Sequence, residues 1–90
     1  MKDLLISKEE IEEVYKEIGK RVKKYREKAG LTQLELALAM GHKAVGTISM
    51  AELYINKKHF NIEHLYKISK ILNISVYDLI PDNYNLIKYK

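Results

Sequence analysis

The chain contains no cysteine, one proline and only four glycines in 90 residues. Without cysteine there are no disulfides, no thiolate nucleophiles and no cysteine-ligated metals, and a reducing compartment is compatible. The lone proline, Pro81, and the sparse glycines leave no low-complexity linker, and no internal repeat is visible. No apolar run is long enough to span a membrane. The opening segment "MKDLLISKEE" holds only a short apolar stretch, too short for a signal-peptide core. These absences lead to the expectation of one small cytoplasmic domain. Phosphate loops, nucleophile elbows and paired carboxylates are missing as well, so neither catalysis nor a cofactor is expected. The three histidines are His42, His59 and His64. His59 and His64 are five apart, not the three or four that place two ligands on one helix face, so no metal site is expected.

What is present is ordinary in amount and uneven in arrangement. Hydrophobic residues make up 47% and charged residues 31%, a globular composition. The formal net charge is +4, a modest lean toward anionic partners. Residues 1–17 carry six acids against three lysines, whereas residues 18–30 carry six lysines and arginines against Glu27 alone. On charge alone, the plain reading of the second run is a solvated helix face.

Periodicity makes the chain almost entirely helical. Ser7 with Glu10 forms a capping-box pattern, with Ile6 and Ile11 spaced as a hydrophobic staple. Ile11, Val14, Tyr15, Ile18, Val22 and Tyr25 then recur at helical spacing, and Gly30 is a stop signal. One helix over about 8–29 is predicted, with Gly19 a possible bend. Thr32 and Glu35 open a second helix that runs to Gly41. A third begins around Lys43 to Val45, with Asn56 a plausible end. Asn61 caps a fourth, with Phe60 and Leu65 as its staple and Asn73 at its end. Ser75 and Asp78 open a short fifth, stopped before Pro81. The tail "DNYNLIKYK" is not helix-like; it reads as an extended segment or a frayed terminus.

Two short helices around a glycine-centred turn suggest helix-turn-helix recognition of DNA, though any helical bundle contains helix pairs. The residues sharpen the signal. "GLTQLELA" at 30–37, "TIS" with Glu52 four residues after Ile48, and "IEHLYKISKILNISVYDLI" resemble the lambda-repressor-like (XRE-type) helix-turn-helix family over roughly 18–80. The resemblance implies an all-α, five-helix DNA-binding domain at 18–81. To it this chain adds an N-terminal helical extension at 1–17 and a short C-terminal tail at 82–90. It also implies a structural ion pair between Arg26 and Glu52, tying the first helix to the third. Gln33 falls where the family contacts phosphate or a base edge.

The same resemblance exposes two departures. The segment from Gly41 to Ile48 is one residue longer than usual, and that from Glu52 to Ile62 is longer too. With Ile48 as anchor, Val45, Gly46 and Met50 fall at the base-reading positions, where longer amide or guanidinium side chains supply bidentate hydrogen bonds. Thr47 and Ser49 can donate but are short. His42 and Lys43, in the lengthened turn, are alternative base readers. Lys43, Lys57 and Lys58 are the expected phosphate contacts. The expected function is a transcriptional regulator, a repressor acting as a homodimer on double-stranded DNA, with the helix-turn-helix at about 33–40 and 44–54. The runner-up is a protein-interaction module on the same fold, such as an antitoxin with a toxin as partner.

Overall fold

Side-chain caps decide where three of the four helices begin. The computed structural model describes residues 7–41 and 45–82. Helix α1 spans Lys8–Lys28; Ser7 Oγ accepts from the Glu10 amide at 3.1 Å, and the Glu10 carboxylate accepts from the Ser7 amide at 2.7 Å. Helix α2 spans Gln33–Ala39 behind the same reciprocal arrangement of Thr32 and Glu35. Between them Gly30 takes φ 77°, a left-handed conformation that reverses the chain at no steric cost. Helix α3 spans Gly46–Leu53 and has no side-chain cap. Helix α4 spans Ile62–Leu72, capped by Asn61 and closed by Asn73 at φ 57°. Two 3-10 turns complete the path, at Ile55–Lys57 and Val76–Asp78.

Four α-helices therefore replace the expected five, and no strand occurs among the described residues. The box of Ser75 and Asp78 does form, but it opens a single 3-10 turn. Pro81 disfavours helical backbone at the residue before it, so there is no room to propagate a second turn. Helix α3 also starts later than 44 and stops short of Asn56. It ends where Tyr54 turns left-handed at φ 56°, and Asn56 adopts the same conformation at φ 54°. His42, Lys43, Ile6 and the tail from 83 onward lie outside the described residues.

The core draws on every helix. Ile18 and Val22 of α1, Leu36 and Ala37 of α2, Ile48 and Ala51 of α3, and Leu65, Ile68 and Leu72 of α4 are buried together with Met40, Phe60 and Leu79. Val14 and Tyr25 pack at its margin, while Ile11 on the same periodic stripe is exposed. At the crossing of α1 and α3, Gly19 lies against the end of α3. A Cβ there would meet the Glu52 carbonyl oxygen at 2.5 Å and that of Ala51 at 2.7 Å. The glycine is thus a point of backbone contact within an unbroken helix.

Candidate nucleic-acid interface

The inner face of α3 is fixed first. Ile48 is fully buried, Ala51 and Glu52 nearly so, which turns this side of the helix to the core. Glu52 is a carboxylate taken out of water, and it needs partners. Arg26 Nε donates to its Oε2 at 2.7 Å and Nη2 to its Oε1 at 3.2 Å. Arg26 Nη1 reaches the Leu31 carbonyl at 2.8 Å. One arginine therefore ties α1 to α3 and to the turn before α2. The Arg26 pKa is raised further, chiefly by the hydrogen bond to Glu52; desolvation opposes this, and the charges of Glu52 and Glu27 add to it.

Gln33 joins this network. It is half-buried at the first position of α2, and its Nε2 donates to Glu52 Oε1 at 2.9 Å. Because Glu52 accepts, the amide orientation is set. The second Nε2 hydrogen is left for another acceptor, and a phosphate oxygen is chemically suited to it.

The remaining faces of α3 differ in exposure. Val45 and Thr47 are exposed, whereas Gly46, Ser49 and Met50 are half-buried. Ser49 Oγ donates to the Gly46 carbonyl at 3.2 Å, so its hydroxyl is partly committed to its own helix. A Cβ at Gly46 would meet nothing within 4 Å among the described residues. Leu53, at the end of α3, is 60% exposed. On α2, Leu34 and Leu38 stand outward one helical turn apart, 51% and 61% exposed.

Lys57 and Lys58 are exposed in the connection from α3 to α4. That connection is tightly shaped: Tyr54, Asn56 and Lys57 all have positive φ. His59 follows, stacked on the Tyr15 ring at 3.8 Å between centroids, with its Nδ1 2.9 Å from the Lys57 carbonyl. Tyr54 also stacks on Tyr15, 6.0 Å between ring centroids. The Tyr54 phenol is pushed above its usual pKa by desolvation first, then by Glu12 and Tyr15. The sequence offered no signal for this ring cluster, which joins distant positions. His64 has a structural task. It is half-buried, and its Nδ1 accepts from the Asn61 amide at 3.2 Å within the cap of α4.

The basic run on α1 is divided in its uses. Arg21 pairs with Glu17 at 3.0 Å and donates to the Ile80 carbonyl at 3.2 Å. Lys24 and Lys28 lie over the Tyr25 ring. Lys20 and Lys23 are exposed. No helix among the described residues is long and apolar enough to cross a membrane.

A short helix pair, the second held rigidly from behind and open in front, defines a helix-turn-helix protein. The family model described as Helix-turn-helix matches residues 22–79. The chain belongs to the lambda-repressor-like (XRE-type) helix-turn-helix family, a family of DNA-binding regulators. Comparison with curated proteins and with solved structures gives no match.

Proposed function

We propose that this protein is a transcriptional repressor that binds double-stranded DNA as a homodimer, with α3 facing the major groove. The observation that carries the reading is the two-sided character of α3. Its inner side is locked by Ile48, Ala51 and the Glu52–Arg26–Gln33 network, while Val45 and Thr47 are open to solvent beside the partly open Gly46, Ser49 and Met50. These side chains are small or apolar. They allow close approach to the groove and contact with thymine methyl groups, but little bidentate readout. Specificity then rests on backbone contacts and on DNA shape. Lys57 and Lys58, Gln33 through its second amide hydrogen, and Lys43 and His42 from the lengthened turn supply the polar contacts. A single small domain gives limited affinity, and a two-fold site calls for a dimer. The apolar residues of the tail at 82–90 are the proposed dimer contact, and the extension at 1–17 precedes the domain at 18–81, its residues 8–17 continuous with the rest of α1.

Selection from random duplex DNA at near-physiological salt tests this directly. An enriched two-fold motif is the expected result; binding with no enriched motif would remove the repressor reading. Two outward leucines on α2, Leu34 and Leu38, favour a second reading, in which the fold docks on a protein partner such as a toxin. Gly46→Glu separates the two. An acid at Gly46 has space to stand in the folded protein and would repel the phosphates lining the groove. It should abolish DNA binding and leave a protein contact on α2 intact.

A further inference from the structure

We infer that the N-terminal half of α1 is a brace for the lysine-bearing loop between α3 and α4, with Tyr15 and His59 as its positioning residues. The inference rests on the proposed DNA-binding role of Lys57 and Lys58 and extends it to a segment that role does not use. The family match begins at residue 22, so Tyr15 lies outside it. Yet this residue is where the loop is held.

The loop needs holding because its backbone is costly. Tyr54, Asn56 and Lys57 occupy left-handed conformations at φ 56°, 54° and 61°, and none is glycine. Such conformations persist only when surrounding contacts fix them. The 3-10 turn at Ile55–Lys57 closes with a hydrogen bond from the Lys58 amide to the Ile55 carbonyl at 3.0 Å. Phe60 is buried and anchors the far end. Between these ends the restraint is aromatic. Tyr54 and His59 both pack on Tyr15, His59 nearly face to face with an interplanar angle of 20°. His59 also binds the loop it follows. The Lys57 carbonyl can only accept, so His59 Nδ1 carries the hydrogen. The chain of contact therefore runs from Tyr15 on α1, through the imidazole, to the backbone of Lys57. Lys57 and Lys58 leave this fixed backbone as exposed side chains, and the ammonium groups start from a defined place rather than from a mobile loop. Preorganisation of this kind lowers the ordering cost of each phosphate contact.

The test uses the full chain with Tyr15→Ala, Tyr15→Phe and His59→Ala, each also combined with Lys57→Ala and Lys58→Ala. Two measurements are made: hydrogen exchange of the amides at 54–60, and affinity for a short random-sequence duplex as a function of salt. Tyr15→Ala and His59→Ala should speed exchange in this segment alone, and Tyr15→Phe should restore the parent rate. On DNA, Tyr15→Ala should reduce the slope of log K against log salt by about 1 to 2, the value for losing one or two phosphate contacts. In the background lacking both lysines it should change nothing further. Unchanged exchange in Tyr15→Ala would overturn the brace, whatever DNA does. An equal loss of affinity with and without the lysines would overturn it too, because the ring would then act elsewhere. Faster exchange with unaltered affinity leaves the brace standing and removes the role of the two lysines in DNA binding.

Discussion

Arg26 and Glu52 show how much one pair of residues can govern. Glu52 is 2% exposed and Arg26 6%, so the pair is buried rather than a surface ornament. Deleting one partner strands a charge in low dielectric. Arg26→Ala should cost on the order of 3 to 5 kcal/mol, a large share of a small domain's stability of about 5 to 15 kcal/mol. Removing both charges is different, because no orphan remains. Arg26→Met with Glu52→Leu should recover most of the loss, with the Leu31 carbonyl and the Gln33 amide, each losing a partner, as the residual deficit. Urea denaturation of Arg26→Met, Glu52→Leu and the double variant measures this, and a double-variant loss equal to the sum of the two single losses would show that the charges are not coupled. The sign of the pH effect is fixed by the raised Arg26 pKa. The stabilisation is full below the unfolded-state value and fades only as pH rises through the folded one, well above the neutral range.

At the scale of the element, Gly19 is where α1 meets the end of α3. On an exposed helix, glycine to alanine stabilises by about 1 kcal/mol. Here the added methyl would press on two backbone carbonyls, and overpacking of that kind costs about 1 to 3 kcal/mol. Gly19→Ala should therefore lower the melting temperature; a rise would mean that the helices separate at little cost. Asn61→Ala should destabilise by about 1 kcal/mol, because it removes the Asn61 side chain that accepts from the His64 amide, one half of the capping box at that end. Thermal melts followed by circular dichroism give both numbers.

The elements also show what could be read beforehand. Ser7, Thr32 and Asn61 begin three helices as their capping patterns announce, because a cap is local chemistry. Gly30 and Asn73 end theirs for the same reason. Helix α3 lacks a side-chain cap, and its end is set by Tyr54 in a left-handed conformation that tyrosine rarely adopts. Nothing local marks either boundary. The turn at Val76–Asp78 carries a true cap but too few residues before Pro81 to become an α-helix. In the candidate site, the core side of α3 follows from the spacing of Ile48 and Glu52. The stacking of His59 on Tyr15 does not, because it depends on how α1 crosses a loop far along the chain.

For the whole molecule, the net charge of +4 matters less than where the cations stand. The acids concentrate in the first half of α1 and the bases in its second half, so a uniform attraction to DNA is not what the charge supplies. Arg21 is spent on Glu17 and the Ile80 carbonyl, and Lys24 lies over Tyr25. Lys57 and Lys58, by contrast, extend from a shaped loop after α3. If they touch phosphate, Lys57→Ala should weaken all duplexes by a similar factor and reduce the salt slope by about 1. A variant at the groove face should behave differently: Thr47→Ala should alter the preferred sequence while leaving the slope unchanged, because a base-edge contact releases no counterion. Filter binding across a salt series separates the two effects. A Lys57→Ala slope equal to the parent's would place the phosphate contacts elsewhere on the molecule, with the exposed Lys20 and Lys23 of α1 the next to replace.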